Sequence, residues 1–357
     1  MKLMPEIYHV IPSFFPAVGG AEKQLERLAR VQSKSMCKVY IITRKISDAS
    51  EKPKNFENIE IIRLNASSAI RFNVNIFKYF FKNRKKVKFI HVHSMTSVAF
   101  TSLFLGMILK FKIFIKVTRI GKGSQPELVS KSNFKRNMLY FFNRFVKFEL
   151  ICLTTESKDY INKIFPKINT CLISNGIELK PQKTLKNINQ KITFIFVSRL
   201  IKRKNVKRSI ELILENIKYN YNIIVCGDGE ELEDILLLSE KHPGIIDVKG
   251  HTDEDELEKL YMTSNFFIQN SENEGLSNSF LESLSMNVIP IVSKNQFYFD
   301  LNKKYCLPIF FDEFLKQNIE EIYQYYENYI DNIQKMLKNE FDIVQTNNKL
   351  NEKYFLS

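Results

Sequence analysis

Two glutamates, Glu274 and Glu282, have seven residues between them in a stretch whose pattern changes from strand to helix and back. The apolar run 266–268 predicts a buried strand, and the apolar run 288–292 predicts the strand that follows the helix. The loop between strand and helix contains Gly275, Leu276, Ser277 and Asn278. In parallel α/β sheets, ligands bind beyond the carboxyl ends of the strands, where such loops lie. Carboxylates accept hydrogen bonds from hydroxyl groups and helix N-termini favour anions, so this stretch predicts a ligand site.

Two cations, Arg199 and Lys204, follow another predicted strand at 193–197. A guanidinium group offers phosphate a planar fork of donors, and an ammonium group offers a point charge. Fixed cations at this place would suit a ligand that carries phosphate groups. Alternatively, both belong to a solvated basic stretch, because four more basic residues lie beside them: Lys202, Arg203, Lys207 and Arg208.

Glycines mark two further turns. Gly19 and Gly20 precede a predicted helix whose free backbone N–H groups suit an anion or a hydroxyl group, although a plain tight turn explains them equally well. Their spacing does not complete a dinucleotide-binding fingerprint. Gly227 and Gly229 follow the predicted strand 222–226 and form the second turn.

Several acidic residues have structural alternatives to a role in binding. Ser279-Phe280-Leu281-Glu282 has the pattern of a capping box, in which Glu282 would only close the N-terminus of its helix. Glu274 could be a solvated loop carboxylate. Asp253-Glu254-Asp255 has the pattern of a metal-binding motif, but it opens a predicted helix, where the helix dipole favours acidic residues. We therefore expect no metal there.

Strand and helix patterns alternate along the chain, which predicts right-handed crossovers and parallel sheets. We expect a Rossmann-like N-terminal domain at 1–180, a linker at 181–190 where periodicity is lost, and a second Rossmann-like domain at 191–340. A C-terminal helix at 341–357 could pack back on the first domain. Two such halves match the GT-B architecture, an α/β fold in which two parallel sheets face a central cleft.

The charge of the chain is unevenly distributed. Residues 1–180 contain 32 Lys and Arg against 12 Asp and Glu, whereas residues 181–357 contain 21 against 27, so the first half predicts an anionic partner. The five cysteines show no metal spacing, and their odd number argues against a disulfide framework, which favours a reducing cytoplasm. No apolar run reaches the roughly 18 residues of a membrane span, and the N-terminus lacks the pattern of a signal peptide.

Several motifs, in order, resemble those of glycosyltransferase family 4, a family of retaining GT-B enzymes. They are Val18-Gly19-Gly20-Ala21-Glu22, Phe89-Ile90-His91-Val92-His93, Ile173-Ser174-Asn175-Gly176-Ile177-Glu178, Phe196-Val197-Ser198-Arg199-Leu200 with Lys204, and Cys226-Gly227-Asp228-Gly229-Glu230. Glu274 and Glu282 have the spacing of the family's two glutamates. The resemblance extends over nearly the whole chain and implies transfer of a sugar from a nucleotide diphosphate donor.

The resemblance implies catalytic roles for Glu274, Arg199 and Lys204, with Glu274 facing the donor sugar and the two cations holding the diphosphate. No metal or other cofactor would then be needed. It implies substrate binding by residues in both domains: Gly19, Gly20, His93, Asn175, Gly227, Gly229, Gly275, Leu276, Ser277, Asn278 and Glu282, the last on the ribose hydroxyls. We expect His91 and His93 to face opposite ways, with His93, at the carboxyl end of its strand, in the site.

The sequence departs from the family at several positions. The family's histidine after the strand at 113–117 has no counterpart, and Lys116 or Arg119 could substitute for it in substrate binding. Asn205 stands in place of the glycine after the phosphate-binding lysine. Asn287 replaces another glycine, as asparagine can where the backbone is left-handed. Residues 294–297 replace the family's last glycine pair.

Two predicted helices, near 77–86 and 131–147, mix Phe and Tyr with Lys and Arg. Such a mixture suits an anionic membrane interface, and it also suits single-stranded nucleic acid, on whose bases aromatic rings stack. Alternatively, the aromatic residues face the core and the basic residues face water. The basic character of the whole first half keeps an anionic membrane surface as a candidate partner.

We therefore expect a retaining, metal-independent glycosyltransferase of the hexosyltransferase type. Its acidic C-terminal domain would bind a nucleotide-sugar, and its basic N-terminal domain would bind a lipid-linked or oligosaccharide acceptor of surface polysaccharide or lipopolysaccharide biosynthesis. It would be cytoplasmic and peripheral at the cytoplasmic face of the inner membrane, with no nucleic-acid partner. The alternatives are another GT-B enzyme, such as a nucleotide-sugar epimerase, and a non-catalytic binder of an anionic polymer or membrane.

Overall fold

The computed structural model describes residues 5–15, 19–35, 37–45, 56–179, 191–272, 275–317, 319, 322 and 325–356. The chain divides into two compact units, each an α/β domain around a parallel sheet. Unit 1 comprises Met1–Gly176 together with Ile343–Ser357, and unit 2 comprises Ile177–Asp342. The linker predicted at 181–190 lies outside the described residues.

The sheet of unit 1 has seven strands: β1 (Glu6–Val10), β2 (Lys38–Arg44), β3 (Ile59–Leu64), β4 (Phe89–Val92), β5 (Lys112–Val117), β6 (Phe148–Cys152) and β7 (Thr170–Leu172). All pairs are parallel, in the order β3-β2-β1-β4-β5-β6-β7. The chain leaves β1 in one direction along the sheet and β4 in the other. The switch point, where ligands bind in open α/β sheets, therefore lies between β1 and β4.

Helices cover both faces of this sheet: α1 (Gly20–Lys34), α2 (Ala69–Lys82), α3 (Ser97–Leu109), α4 (Gln125–Lys131), α5 (Asn133–Phe145) and α6 (Thr155–Ile164). Buried side chains of α2, α3, α5 and α6 share one core with the sheet, whereas α1 packs on the opposite face. Right-handed crossovers require α1 to lie on the opposite face from the other helices. The connection through α1, from β1 to β2, runs along the sheet in the opposite direction to the connections through α2, α3 and α5.

Unit 2 contains a second parallel sheet, formed by β8 (Ile192–Val197), β9 (Tyr221–Cys226), β10 (Ile246–Gly250), β11 (Phe266–Gln269), β12 (Ile289–Val292) and β13 (Ile309–Phe310). Their order is β10-β9-β8-β11-β12-β13, which places the switch point between β8 and β11. Its helices are α7 (Val206–Asn216), α8 (Leu232–Lys241), α9 (Glu254–Thr263), α10 (Asn278–Ser285), α11 (Gln296–Tyr305), α12 (Phe311–Phe314) and α13 (Tyr326–Met336).

The chain returns to unit 1 through helix α14 (Ile343–Asn351), which packs against α1 and is followed by a π-helical turn at Glu352–Leu356. Tyr354 stacks on Phe89 of β4 with ring centroids 4.4 Å apart, and Lys353 forms an ion pair with Glu149 at 2.9 Å. Of all helices in the described part of the chain, none has both the length and the apolar composition that a membrane crossing requires.

The two basic, aromatic helices differ from the sequence-based prediction. The helix expected near 77–86 is α2, which begins at Ala69 because the Ser68 hydroxyl accepts a hydrogen bond from the backbone N–H of Arg71. The helix expected at 131–147 is α5, which begins at Asn133 because the Ser132 hydroxyl accepts a hydrogen bond from the backbone N–H of Lys135; the short helix α4 ends just before it, at Lys131. Local capping chemistry thus overrode the apolar periodicity on which the boundaries were predicted.

Candidate functional site

The cations of unit 2 lie at the switch point of its sheet. Arg199 follows β8 directly, and a 3₁₀ turn at Lys202–Lys204 then leads into α7. The neighbouring strand β11 carries the loop that continues to α10. A hydrogen bond of 2.8 Å from the backbone N–H of Glu272 to the carbonyl of Arg203 joins the two loops. The cationic loop and the loop of Gly275–Asn278 therefore belong to one edge of the sheet.

The segment that carries Arg199 is held by the Gly227–Gly229 turn of the adjacent strand β9. The N–H of Ser198 donates to the carbonyl of Cys226 at 3.1 Å, and the N–H of Leu200 donates to the carbonyl of Asp228 at 2.8 Å. A Cβ on Gly227 would lie 1.8 Å from the carbonyl oxygen of Ser198. These glycines therefore let two backbones approach, which fixes the direction in which Arg199 leaves its strand.

We expect Gly227→Ala to destabilise the protein by about 2–3 kcal/mol. The new Cβ would collide with the backbone of Ser198, and the φ of 144° at this position is one that L-residues rarely adopt. Urea unfolding followed by circular dichroism would measure the loss. Gly275→Ala is the matched control, since a Cβ at Gly275 has no heavy atom within 4 Å and we expect wild-type stability. Equal unfolding midpoints for the Gly227 variant and wild type would contradict this interpretation.

The basic stretch around Arg199 separates into residues of different roles. Lys207 pairs with Asp234 at 3.0 Å, and Arg208 pairs with Glu211 at 3.5 Å, so these two belong to the surface of α7. Arg199 is exposed and forms no ion pair with any other residue in the described ranges. Lys204 is half-buried in the 3₁₀ turn. Asn205, the next residue, has a left-handed backbone with a φ of 52°, a conformation that glycine and asparagine both adopt readily.

The loop before α10 is held by a buried polar network that the sequence did not suggest. The Ser277 hydroxyl accepts from the backbone N–H of Phe280 at 3.1 Å and donates to the Oε1 atom of Gln269. Gln269 in turn donates to the hydroxyl of Tyr298 at 2.7 Å, and this hydroxyl donates to the carbonyl of Gly275 at 3.4 Å. Gln269 and Tyr298 are both buried. The network fixes the loop backbone at both of its ends.

At residues 275–277 this arrangement leaves backbone rather than side chains to face a ligand. The Leu276 side chain is buried in the core, and the Ser277 hydroxyl is already engaged in capping. Asn278 is the first residue of α10, where backbone N–H groups lack acceptors within the helix. The space beside Gly275 is open. An anion placed there would meet a positive helix end.

The structural alternative for Glu282 is wrong. The N-cap of α10 is Ser277 and not Ser279, so the capping-box position is Phe280 and Glu282 lies one half-turn further along. Its half-buried carboxylate is therefore not used to close the helix N-terminus. Asn287, after this helix, has the expected left-handed backbone, with a φ of 54°. Glu274 lies outside the described residues.

Three buried histidines meet at the switch point of unit 1. The rings of His91 and His93 stack with centroids 4.3 Å apart and planes 20° from parallel. The expectation that they face opposite ways is wrong, because residues two apart in a strand share a face. His93 is 2% exposed, and its Nε2 atom lies 2.9 Å from Nδ1 of His9 on β1. His9 Nε2 lies 2.7 Å from Oε1 of Gln32. The ring of His93 thus contacts other core groups.

The same cluster has the geometry of a potential metal site, since one nitrogen from each ring lies within 4.8 Å of the others. The ring contacts favour a neutral hydrogen-bonded cluster instead, because Nδ1 of His9 lies 2.9 Å from Nε2 of His93 and Nδ1 of His91 lies 2.5 Å from the Tyr354 hydroxyl. Burial lowers the pKa of His9 to about 4 and holds the pKa values of His91 and His93 well below their usual range. The charge of buried Lys116 acts in the same direction on all three, and it would also repel a divalent cation.

Arg119, unlike Lys116, reaches a cavity. The cavity, of about 320 Å³, lies at the carboxyl ends of β4 and β5 and is lined by Ser94, Met95, Val117, Thr118, Arg119, Gly123, Gln125 and Pro126. One guanidinium nitrogen of Arg119 donates to the carbonyl of Gly123 at 2.6 Å, which orients the side chain. Lys116 is buried in β5, and burial lowers its pKa to about 8. Of the two candidates, Arg119 is the one placed to contact a ligand.

The glycine pair of unit 1 caps α1. Gly19 is the N-cap, with an extended backbone, and Gly20 is the first helical residue. The carboxylate of Glu22 folds back over Gly19, where a Cβ would lie 2.5 Å from the Oε2 atom of Glu22. The Ser13 hydroxyl donates to the other oxygen, Oε1, at 2.5 Å. A negative charge already occupies this helix end, which favours a hydroxyl-bearing ligand over a second anion.

Asn175 lies where the chain passes from unit 1 to unit 2, and it is buried. The adjacent Gly176 lies against the returning chain, since a Cβ there would be 2.5 Å from the Cα of Ile343. The Gln24 amide donates to the Gly176 carbonyl at 3.1 Å, and the Thr346 hydroxyl donates to the Ser174 carbonyl at 3.3 Å. In this structure the turn holds together the two chain segments that form unit 1.

Comparisons with known proteins agree with this geometry. Residues 177–353, just under half of the chain, match the family model of glycosyl transferases group 1. No curated protein matches the sequence significantly. Among solved structures, Alr3699/HepE of Anabaena in complex with UDP-glucose is 14% identical, with a TM-score of 0.75, and the match covers 98% of each chain.

Two further structures are similar over the whole chain. A glycosyltransferase of Rickettsia africae ESF-5 is 15% identical with a TM-score of 0.74, and the match covers 98% of each chain. WaaG, a glycosyltransferase involved in lipopolysaccharide biosynthesis, is 13% identical with a TM-score of 0.69, and the match covers 98% of this chain and 100% of that one. At these identities the likeness establishes the fold, and the predicted GT-B class is confirmed.

Proposed function

We propose that this protein is a glycosyltransferase that transfers a sugar from a nucleotide diphosphate donor to a hydroxyl group of a glycan acceptor. The observation that carries the proposal is the adjacency of Arg199 and the Gly275–Asn278 loop at the switch point of unit 2. This pair lies in the part of the chain that matches the group 1 glycosyl transferases. Several similar structures are complexes with UDP or UDP-glucose, which makes UDP the first nucleotide to test.

The donor would lie over the carboxyl ends of β8 and β11. Arg199 and Lys204 would hold the diphosphate and stabilise the charge that develops as it leaves, so that no metal is required for this step. The N-terminus of α10 would face the same phosphates. Glu282 would accept hydrogen bonds from the ribose hydroxyls, and Glu274 would orient the donor sugar. We assign no protein nucleophile and propose that the configuration of the sugar is retained by reaction on one face.

The acceptor would bind to unit 1. Arg119 and its cavity supply a cation beside a pocket of a size suited to a sugar or a phosphate group. Gly19 and the held carboxylate of Glu22 supply hydrogen-bonding groups for hydroxyls. A lipid-linked glycan of surface polysaccharide or lipopolysaccharide biosynthesis combines both features. Such an acceptor would place the enzyme at the cytoplasmic face of a membrane.

The first experiment measures nucleotide binding by the full chain. A ligand that binds the folded state raises the melting temperature, so we expect UDP or another nucleoside diphosphate, and its sugars, to stabilise the protein. Glu282→Gln should weaken this binding about tenfold or more, because a hydrogen bond to a charged group is worth about 1.5–3 kcal/mol. The variant should still fold, because the Ser277 hydroxyl and not Glu282 caps α10.

Glu254→Gln is the matched control, an exposed carboxylate in the first turn of α9, and should bind nucleotide like wild type. Failure of every nucleoside diphosphate to stabilise the wild-type chain would refute the proposed function. Donor conversion in the absence of any acceptor would instead favour a nucleotide-sugar epimerase.

A further inference from the structure

Helix α2 carries two apolar stripes, and only one of them faces the core. Phe72, Ile76 and Phe80 are buried against the sheet of unit 1. A second stripe, Ile70, Val74, Phe77 and Phe81, follows the helical spacing on the outer side. Ile70 is 77% exposed, and Val74 and Phe81 are about half exposed. A solvent-facing helix surface is normally polar, so this apolar outer stripe indicates a surface that binds a partner.

The apolar surface continues across the two helices beside α2. Helix α3 packs against both α2 and α5 on the same face of the sheet. Its exposed Phe104 lies 6.1 Å, between ring centroids, from Phe77 of α2. On α5, Phe134 is 76% exposed, and the exposed rings of Phe141 and Phe145 lie 5.0 Å apart. We call these outer surfaces of α2, α3 and α5 the three-helix face.

The charge on this face has a single sign. None of the three helices contains an Asp or Glu residue. From residue 61 to residue 148 the sequence has 18 Lys and Arg and one acidic residue, Glu127. Lys78 is exposed between Val74 and Phe81 of the outer stripe, and Lys135 is exposed beside Phe134. Apolar rings and cations therefore alternate over one continuous surface.

We propose that the three-helix face docks on an anionic lipid bilayer. Exposed Phe and Ile side chains would enter the boundary between headgroups and acyl chains, and the surrounding Lys and Arg would remain among anionic headgroups. The binding is interfacial, with no chain segment crossing the bilayer. It would bring the acceptor-binding unit to a surface where lipid-linked substrates lie, but it does not depend on the transfer reaction.

Two other occupants fit this face less well. A second copy would place two strongly basic surfaces against each other in a self-complementary contact, which like-charge repulsion opposes. Single-stranded nucleic acid would use the cations and stack on the rings. It would leave the exposed aliphatic side chains without a role, namely Ile70 and Val74 of α2 and Ile108 of α3, because aliphatic side chains do not stack with bases. A bilayer uses all three kinds of group.

The test is co-flotation of the full-length protein with vesicles made of equal parts phosphatidylglycerol and phosphatidylcholine, or of phosphatidylcholine alone. We expect binding to the anionic vesicles that weakens with salt, and little binding to the neutral ones. A charge variant, Lys78→Glu with Lys135→Glu, should bind at least about 25-fold more weakly, since loss of each cation costs about fivefold and each new carboxylate adds repulsion. A second variant that removes apolar side chains, Ile70→Ser with Phe134→Ser, should bind anionic vesicles about tenfold or more weakly than wild type.

Matched changes in unit 2 provide the control: Leu237→Ser, at a residue 56% exposed, with Lys218→Glu, also exposed, should leave vesicle binding unchanged. All variants should retain the wild-type melting temperature and nucleotide stabilisation, which separates this proposal from the proposed function. Absence of binding to anionic vesicles overturns it. The proposal is also overturned if the charge and apolar variants bind vesicles like wild type. Loss of self-association in these variants would then indicate a second copy as the partner, and loss of polynucleotide binding would indicate nucleic acid.

Discussion

Arg199→Ala should lower the turnover number about 100- to 1,000-fold while changing the Michaelis constant for the donor much less. Arg199 follows β8 at the switch point, and the Gly227–Gly229 turn holds the backbone on both sides of it. Its charge matters most when the diphosphate leaves, because negative charge then increases on the phosphate oxygens. The donor for this measurement is the nucleotide-sugar that raises the melting temperature most. The turnover number is measured as the rate at which nucleoside diphosphate is released in the presence of an acceptor.

Arg208→Ala is the control for a general loss of positive charge. Arg208 is 59% exposed and pairs with Glu211, so its removal should leave turnover within about twofold of wild type. Arg199→Lys should retain part of the activity, because it keeps the charge but loses the planar fork of donors. Turnover near the wild-type value in Arg199→Ala would remove this residue from the catalytic site.

The second large effect is a loss of stability at mildly acidic pH. The folded state keeps His9, His91 and His93 neutral, since burial lowers the pKa of His9 to about 4 and those of the other two well below their usual range. The unfolded chain takes up protons below about pH 6.5, while the folded chain does not. Stability is therefore complete above pH 6.5 and falls as the pH approaches 4. From pH 7.5 to 5.5 we expect a loss of about 4 kcal/mol for the three residues.

Urea unfolding at the two pH values would measure this loss. His91→Gln lowers stability at pH 7.5, because the ring contacts Tyr354 and His93, but it should remove about a third of the pH dependence. A wild-type protein equally stable at pH 7.5 and 5.5 would show that the cluster is not kept neutral by the fold.

Much of the architecture follows from the order of residues alone. Apolar runs of strand length, separated by helical periods, specify parallel sheets because each strand is buried on both faces. The position of Arg199 and of the 275–278 loop at strand ends follows from the same pattern, since parallel strands all end at one edge. These local signals are strong because they are repeated throughout both units.

Tertiary contacts decided what the local patterns left open. By sequence Ser279 has the capping-box pattern, but in the structure Ser277 is the cap, and its hydroxyl donates a hydrogen bond to Gln269, which is itself bonded to Tyr298. This choice freed Glu282 from the capping role. Gly227 is required because a backbone carbonyl from another strand occupies the place of its side chain.

The same distinction applies to unit 1. The sequence determined that α2 and α5 combine apolar and basic residues, but not which side of each helix meets the sheet. In the structure Phe72, Ile76 and Phe80 are buried in the core, whereas Ile70 and Phe81 are exposed. Helical periodicity fixes which residues share a stripe, whereas the sheet decides which stripe is buried, because only one side of a helix can face it.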